Sequence, residues 1–192
     1  PVIPFLGFLV LSLTGLKLPR TAIATIGAGS VGLSALLSCL VAFSFFSGST
    51  EQMGVVLWQW MDVAGFSPEF GFRLDALSLA FVLVITVIGF FIHLYSTEFM
   101  YEEPGYGRFF AAMNLFVSAM LILVMANNLA LLYLGWEGVG LCSYLLIGFY
   151  FQDSNNGQAA QKAFIVTRIG DTALGIGLFL LFARLGTLGL SG

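Results

Sequence analysis

Charge is what this sequence has least of. Lysine, arginine, aspartate and glutamate together supply 9% of its residues, against about 25% in soluble domains. That supply cannot cover a water-facing globular surface, which excludes an ordinary soluble fold. Histidine occurs once and cysteine twice, as Cys39 and Cys142. So few ligating side chains exclude a haem or iron–sulfur centre held by this chain alone. Both cysteines stand inside apolar runs, where thiols are expected to be free and buried. The net charge of −3 argues against nucleic acid as a partner, because phosphate backbones are bound by basic surfaces. No Lys or Arg precedes the first apolar stretch and no small-residue cleavage site follows it, so no secretory signal is expected. Pro1 already lies within an apolar run, and the start is expected to be trimmed. No Ser-His-Asp arrangement and no metal-ligand spacing is present.

Apolar residues are abundant instead: 59% of the chain, with a mean hydropathy of +0.99. The expected fold class is all-α, a polytopic integral membrane protein surrounded by the lipid bilayer. At about 20 residues per span plus loops, the length accommodates about six transmembrane helices.

Residues 1–47 read as two N-terminal spans. Val2–Leu16 is stopped by Lys17-Leu18-Pro19-Arg20, and Thr21–Phe46 follows without a charge. The second run contains Gly27-Ala28-Gly29-Ser30-Val31-Gly32, a literal G-x-G-x-x-G. A dinucleotide fingerprint needs a strand before it, an amphipathic helix after it, and an acid about 20 residues on. Ala22–Ile26 and Glu51 stand near those places, but Leu33–Phe46 is apolar on all sides. Small residues at close helix contacts are the better account.

Residues 48–74 read as an extramembrane, aromatic-rich loop. Glu51, Asp62 and Glu69 share it with Trp58, Trp60, Phe66, Phe70 and Phe72, which suits an extended, hairpin-like segment at the interface. Residues 75–192 carry helices three to six: Leu74–Tyr95, Phe109–Ala126, Leu129–Phe149 and Gln158–Ala183. His93, beside Tyr95, is expected to be an interfacial anchor or a proton carrier. Ser96–Arg108 reads as a charged loop and Gln152–Gly157 as a polar one. Only Asn127-Asn128 separates the fourth and fifth spans, so these form an antiparallel hairpin.

The fifth span holds one ionisable side chain, Glu137, eight residues in from Leu129, or about 12 Å deep in a helix. A carboxylate there costs on the order of 3 kcal/mol on insertion scales. Such groups mark ion or proton paths, or else glue helices together. Gly135, Gly138 and Gly140 leave room beside it for a helix or for water. The sixth span carries Lys162, Arg168 and Asp171. Arg168 and Asp171 are three apart and share a helix face, and Asp171 falls near the depth of Glu137. Lys162, Arg168 and Asp171 then read as a polar ladder from one surface toward Glu137. Either the ladder serves proton movement, or Arg168 and Asp171 only neutralise each other. The candidate site is therefore Glu137, Asp171, Arg168 and Lys162.

Four stretches carry a family resemblance: Gly71-Phe72-Arg73-Leu74-Asp75-Ala76-Leu77-Ser78, Gly107-Arg108-Phe109-Phe110, Leu134–Phe149, and Lys162–Asp171. They resemble the largest antiporter-like membrane subunits of respiratory complex I, the proton-pumping NADH:quinone oxidoreductase, known as chain 5 or subunit L. The resemblance implies the start of an antiporter-like inverted-repeat fold. In that family Glu137 matches an essential glutamate of the fifth helix, and Arg168 and Asp171 match charged positions of the sixth. It implies no cofactor in this chain; NADH, FMN, iron–sulfur clusters and quinone would belong to the rest of the assembly. It implies other membrane-arm subunits as partners, adjacent antiporter-like subunits among them, in a bacterial inner membrane rather than a mitochondrial one. An alternative of shared architecture is a subunit of a multi-subunit Mrp-type cation/proton antiporter. Members of the family continue into a seventh helix with a lysine partner for the glutamate. This sequence stops at Gly192, so a fragment or split piece, unable to pump alone, is expected.

Lysine and arginine set orientation. Lys17, Arg20, Arg108, Lys162 and the deeper Arg168 fall on one side, Arg73 and Arg184 on the other, which places the N-terminus outside. Cysteines introduced at Ser49 and Ser154, with Cys39 and Cys142 replaced, should label from opposite faces of the membrane. Labelling from one face would overturn the six-span topology.

Overall fold

The computed structural model describes residues 1–15, 17–48, 52–60 and 67–190. Glu51, Asp62 and Phe66 of the expected aromatic loop lie outside the described residues. Six helices and one hairpin follow in order: α1 Val2–Thr14, α2 Arg20–Ser47, β1 Met53–Gln59, β2 Glu69–Leu74, α3 Ala76–Phe99, α4 Tyr106–Met125, α5 Leu129–Ile147 and α6 Ser154–Leu185. The last five helices from α2 to α6 are long and apolar enough to cross a membrane, and α1 is a shorter apolar helix. Large apolar side chains such as Phe43, Phe46 and Phe179 stand exposed, as expected where lipid replaces water as the solvent.

The helices begin and end where polar residues satisfy the backbone, not where hydropathy fades. α3 runs on to Phe99, through Ser96 and Thr97 of the expected loop. Their hydroxyls donate back to the carbonyls of Ile92 and Leu94, at 2.8 and 2.7 Å, so neither needs water. α6 starts at Ser154, within the expected polar loop, because the Asp153 carboxylate accepts from the Asn155 N–H at 2.9 Å and caps the helix. At its far end Gly186 takes a left-handed φ of 71° and donates to the Phe182 carbonyl, a conformation that favours glycine.

The chain forms two compact units. The first comprises Pro1–Thr50 and Leu79–Leu121 and is packed through small and neutral polar residues. The G-x-G-x-x-G run lies mid-helix in α2. A Cβ at Gly27 would stand 2.5 Å from the Phe110 ring, and one at Gly32 would stand 2.7 Å from Phe90. These glycines are contact surfaces. The buried Asn114 carboxamide ties α4 to α2: its Oδ1 accepts from the Ser30 hydroxyl, and its Nδ2 donates to the carbonyls of Gly27 and Phe110. Within α3, Val84–Ile88 forms a π-helical turn. Thr86 in that turn is fully buried and donates to the Val82 carbonyl at 2.7 Å.

Two expectations change here. His93 is no interfacial anchor: it is 0% exposed, its Nδ1 sits 2.7 Å from the Gly89 carbonyl, and its ring lies 6.1 Å from that of Phe110. Among the described residues, its buried Nε2 has no hydrogen-bond partner. α3 continues beyond it by more than a turn, which places the imidazole inside the helix packing. Cys39 is exposed while Cys142 is buried, because an all-apolar helix turns part of its circumference outward.

The second unit comprises Glu51–Ser78 and Ile122–Gly192. β1 and β2 pair antiparallel with a register irregularity between Val56 and Trp58, and Trp58 stacks on Phe70 at 4.4 Å. The Asn127-Asn128 turn gathers three segments. Asn127 N–H donates to the Gly71 carbonyl of β2, and its own carbonyl accepts from Leu190 beyond α6. Asn128 caps α5 by accepting from the Leu131 N–H at 2.8 Å, and its Nδ2 donates to the Glu69 carbonyl.

Asp75 starts α3. One carboxylate oxygen accepts from the Ser78 N–H at 2.8 Å and from the Ser78 hydroxyl at 2.9 Å; the other meets Arg73 at 3.1 Å. The Ser78 N–H first, then its hydroxyl and Arg73, hold this carboxyl below its ordinary range. A depressed folded-state pKa gives stability that is present above the unfolded value of about 3.9 and lost as pH falls through the folded value. Asp75→Ala should cost about 1 kcal/mol near neutral pH. Thermal unfolding in detergent should show that cost shrinking as the acid range is entered.

Candidate functional site

α5 opens on Asn128, and Gly135 lets it close on the end of α4: a Cβ there would stand 2.6 Å from the Leu123 nitrogen. Glu137 and Tyr133 are four residues apart and share one face of α5, with Trp136 beside them. On α6, Arg168 and Asp171 occupy the facing stripe.

The structure brings Glu137, Arg168 and Asp171 together. The Arg168 guanidinium forms an ion pair with Glu137 through Nη1 and Oε2, and the same nitrogen lies 3.7 Å from Asp171 Oδ2. Arginine's fork suits two acceptors at once. Its carbon Cζ also lies 4.5 Å from the centre of the Phe164 ring, which shields one face of the cation. Asp171 is the most enclosed of the three at 4% exposure. Its Oδ1 accepts from the Trp136 indole N–H at 2.8 Å, and the Tyr133 hydroxyl donates to its backbone carbonyl at 3.3 Å. Both carboxylate oxygens of Asp171 therefore have partners.

Lys162 is not brought into the cluster. It is exposed and, nine residues before Asp171, sits about half a revolution away around α6 at about 100° per residue. The ladder rested on rise along the axis, and the angle breaks it at this step. Arg168 also reaches beyond Asp171 to Glu137, across to a different helix. Trp136 and Tyr133 are partners that the sequence reading did not single out. An indole N–H in an apolar span, which needs an acceptor, was the available signal for the first.

The site is closely packed at Gly135 and open at Gly140, where a built Cβ meets nothing within 4 Å. Gly135→Ala should therefore displace α5 and lower the yield of folded protein in membranes, while Gly140→Ala should leave that yield unchanged. Equal effects would contradict this packing.

With this geometry described, comparison with known proteins becomes informative. Residues 60–110 match the family described as NADH-ubiquinone oxidoreductase (complex I), chain 5 N-terminus, and residues 126–192 match NADH:quinone oxidoreductase/Mrp antiporter, TM. NADH-quinone oxidoreductase subunit L of Escherichia coli is 49% identical over 97% of this chain, and that of Pseudomonas aeruginosa is 52% identical over 96%. The chain spans 30% of the length of each. Among solved structures, the Mrp complex from Dietzia superposes with a TM-score of 0.79 at 27% identity, over 100% of this chain and 20% of that one. An archaeal respiratory complex, the membrane-bound sulfane sulfur reductase, superposes with a TM-score of 0.80 over 98% of this chain and 37% of that one. At 17% identity it shares the fold alone. On these matches the chain belongs to the subunit L, or chain 5, family of NADH-quinone oxidoreductases and corresponds to its N-terminal part.

Proposed function

We propose that this chain is the N-terminal portion of a proton-translocating membrane-arm subunit of NADH:quinone oxidoreductase, integral to a bacterial inner membrane. In this reading Glu137 is the proton-carrying group of a half-channel, and Arg168 and Asp171 hold and tune it. Electron transfer from NADH to quinone, with FMN and iron–sulfur clusters, takes place in other subunits. The chain itself holds no cofactor and acts alongside neighbouring antiporter-like subunits.

One observation carries the reading. Two carboxylates and one guanidinium meet within membrane-spanning helices, which among the described residues leaves one negative charge in excess. In hydrocarbon that excess must be met by a proton or by a cation from elsewhere. A group whose charge balance closes on taking up a proton, and opens on releasing it, is what proton transfer requires. A second reading, a subunit of an Mrp-type cation/proton antiporter, is favoured by the superposition on the Dietzia Mrp complex. Sodium-dependent exchange without NADH oxidation would select it.

In the assembled complex, Glu137→Gln keeps the shape of the side chain and removes its charge. It should strongly reduce protons moved per NADH oxidised in proteoliposomes. An unchanged ratio would remove Glu137 from the path.

The Arg168–Asp171 pair separates structure from transport. Removing one partner leaves the other buried and uncompensated, at roughly 3–5 kcal/mol in comparable pairs. Arg168→Leu and Asp171→Leu should each lower the yield of assembled complex. The double variant should lose less than the sum. Assembly restored with pumping still absent supports the tuning role. Restored assembly with full pumping leaves a structural pair only.

A further inference from the structure

Trp136 stands next to Glu137 in α5, and burial does not account for it: the residue is 48% exposed. What an indole adds to an apolar span is one N–H, which in hydrocarbon needs an acceptor. It donates to Asp171 Oδ1 at 2.8 Å. The other carboxylate oxygen of Asp171 lies 3.7 Å from the Arg168 guanidinium, beyond hydrogen-bond distance. Among the described residues, the tryptophan is thus a closer partner of this carboxylate than the arginine. Tyr133, three residues earlier on the same face of α5, donates to the Asp171 backbone carbonyl at 3.3 Å. One helix face therefore grips residue 171 by side chain and main chain together. Hydrogen bonds to a charged acceptor are stronger than those between neutral groups, and this one serves a residue that is only 4% exposed.

Arg168 has one positive charge to share between two acids. A buried Asp171 that lost the indole N–H would need that charge more, and would draw the guanidinium away from Glu137. With the N–H in place, Arg168 stays paired with Glu137. We infer that Trp136 is a positioning residue of the proton path, whose N–H holds Asp171 and so leaves Arg168 to Glu137. The inference rests on the reading of Glu137 as the proton-carrying group. It adds that the tryptophan serves by its hydrogen bond and not by its bulk.

The test uses the full-length protein that contains this chain, assembled with its accompanying subunits in proteoliposomes. Trp136→Phe and Trp136→His install rings of comparable size, and only the second keeps a ring N–H. Trp136→Phe should assemble and support NADH oxidation, yet move severalfold fewer protons per NADH. Trp136→His should recover most of that loss. Unchanged pumping in Trp136→Phe would overturn the inference. Equal losses in the two variants would also overturn it, because bulk would then be what matters. Glu137→Gln, measured alongside, separates this inference from the reading beneath it. Normal pumping in Glu137→Gln defeats the proton path itself, whereas a loss there with full pumping in Trp136→Phe removes Trp136 alone. Should Trp136→Phe fail to assemble, it is made in the Asp171→Leu background. There the indole has no carboxylate to hold, so Trp136→Phe should cost no further yield of assembled complex. A further loss would overturn the inference.

Discussion

The ionic contact of α5 with α6 is centred on a single arginine. Each of Glu137, Arg168 and Asp171 would cost on the order of 3 kcal/mol if buried alone in the bilayer centre. Arg168 meets both acids, so the two helices are held where one guanidinium reaches two carboxylates. Trp136 reinforces the arrangement by occupying the Asp171 oxygen farther from the arginine. A helix pair built on apolar contact could slide or rotate; this one has a fixed register.

The first unit solves the same problem with neutral groups. Asn114 uses both ends of its carboxamide on α2 and on its own helix, and glycines at 27 and 32 let aromatic rings of α4 and α3 approach the α2 backbone. Neutral polar bonds of this kind cost less to bury than ions. They hold helices without leaving a charge to be balanced. Among the described residues of this unit, the buried Nε2 of His93 has no partner, and a buried ring nitrogen left so carries a desolvation cost.

Much of this was legible in the sequence. Glu137, Arg168 and Asp171 stand out because an ionisable residue in an apolar run has few structural explanations. Helix number and order follow from run length. What was not legible depends on angle and on partners. Nine residues between Lys162 and Asp171 give a rise along the axis, and the ladder drawn from that rise took no account of the half-revolution around it. Ser96, Thr97 and Asp153 looked like loop residues because their polarity is visible, whereas the backbone bonds that absorb it are not. Asn114 went unnoticed because a neutral amide changes hydropathy little. His93 looked peripheral only because the end of α3 was placed too early.

The residue types in the cluster divide its labour. An arginine side chain does not give up its proton in proteins, so Arg168 cannot be a step through which a proton passes. It is a fixed positive charge beside Glu137 and Asp171, which fits the tuning role proposed for it. Asp171 is tied at both oxygens, to Trp136 and to Arg168. Glu137 has an ion pair at one oxygen and stands beside the open face at Gly140. Asp171 is held more closely than Glu137, which supports the proposed division of Arg168 and Asp171 as the frame and Glu137 as the group that exchanges protons.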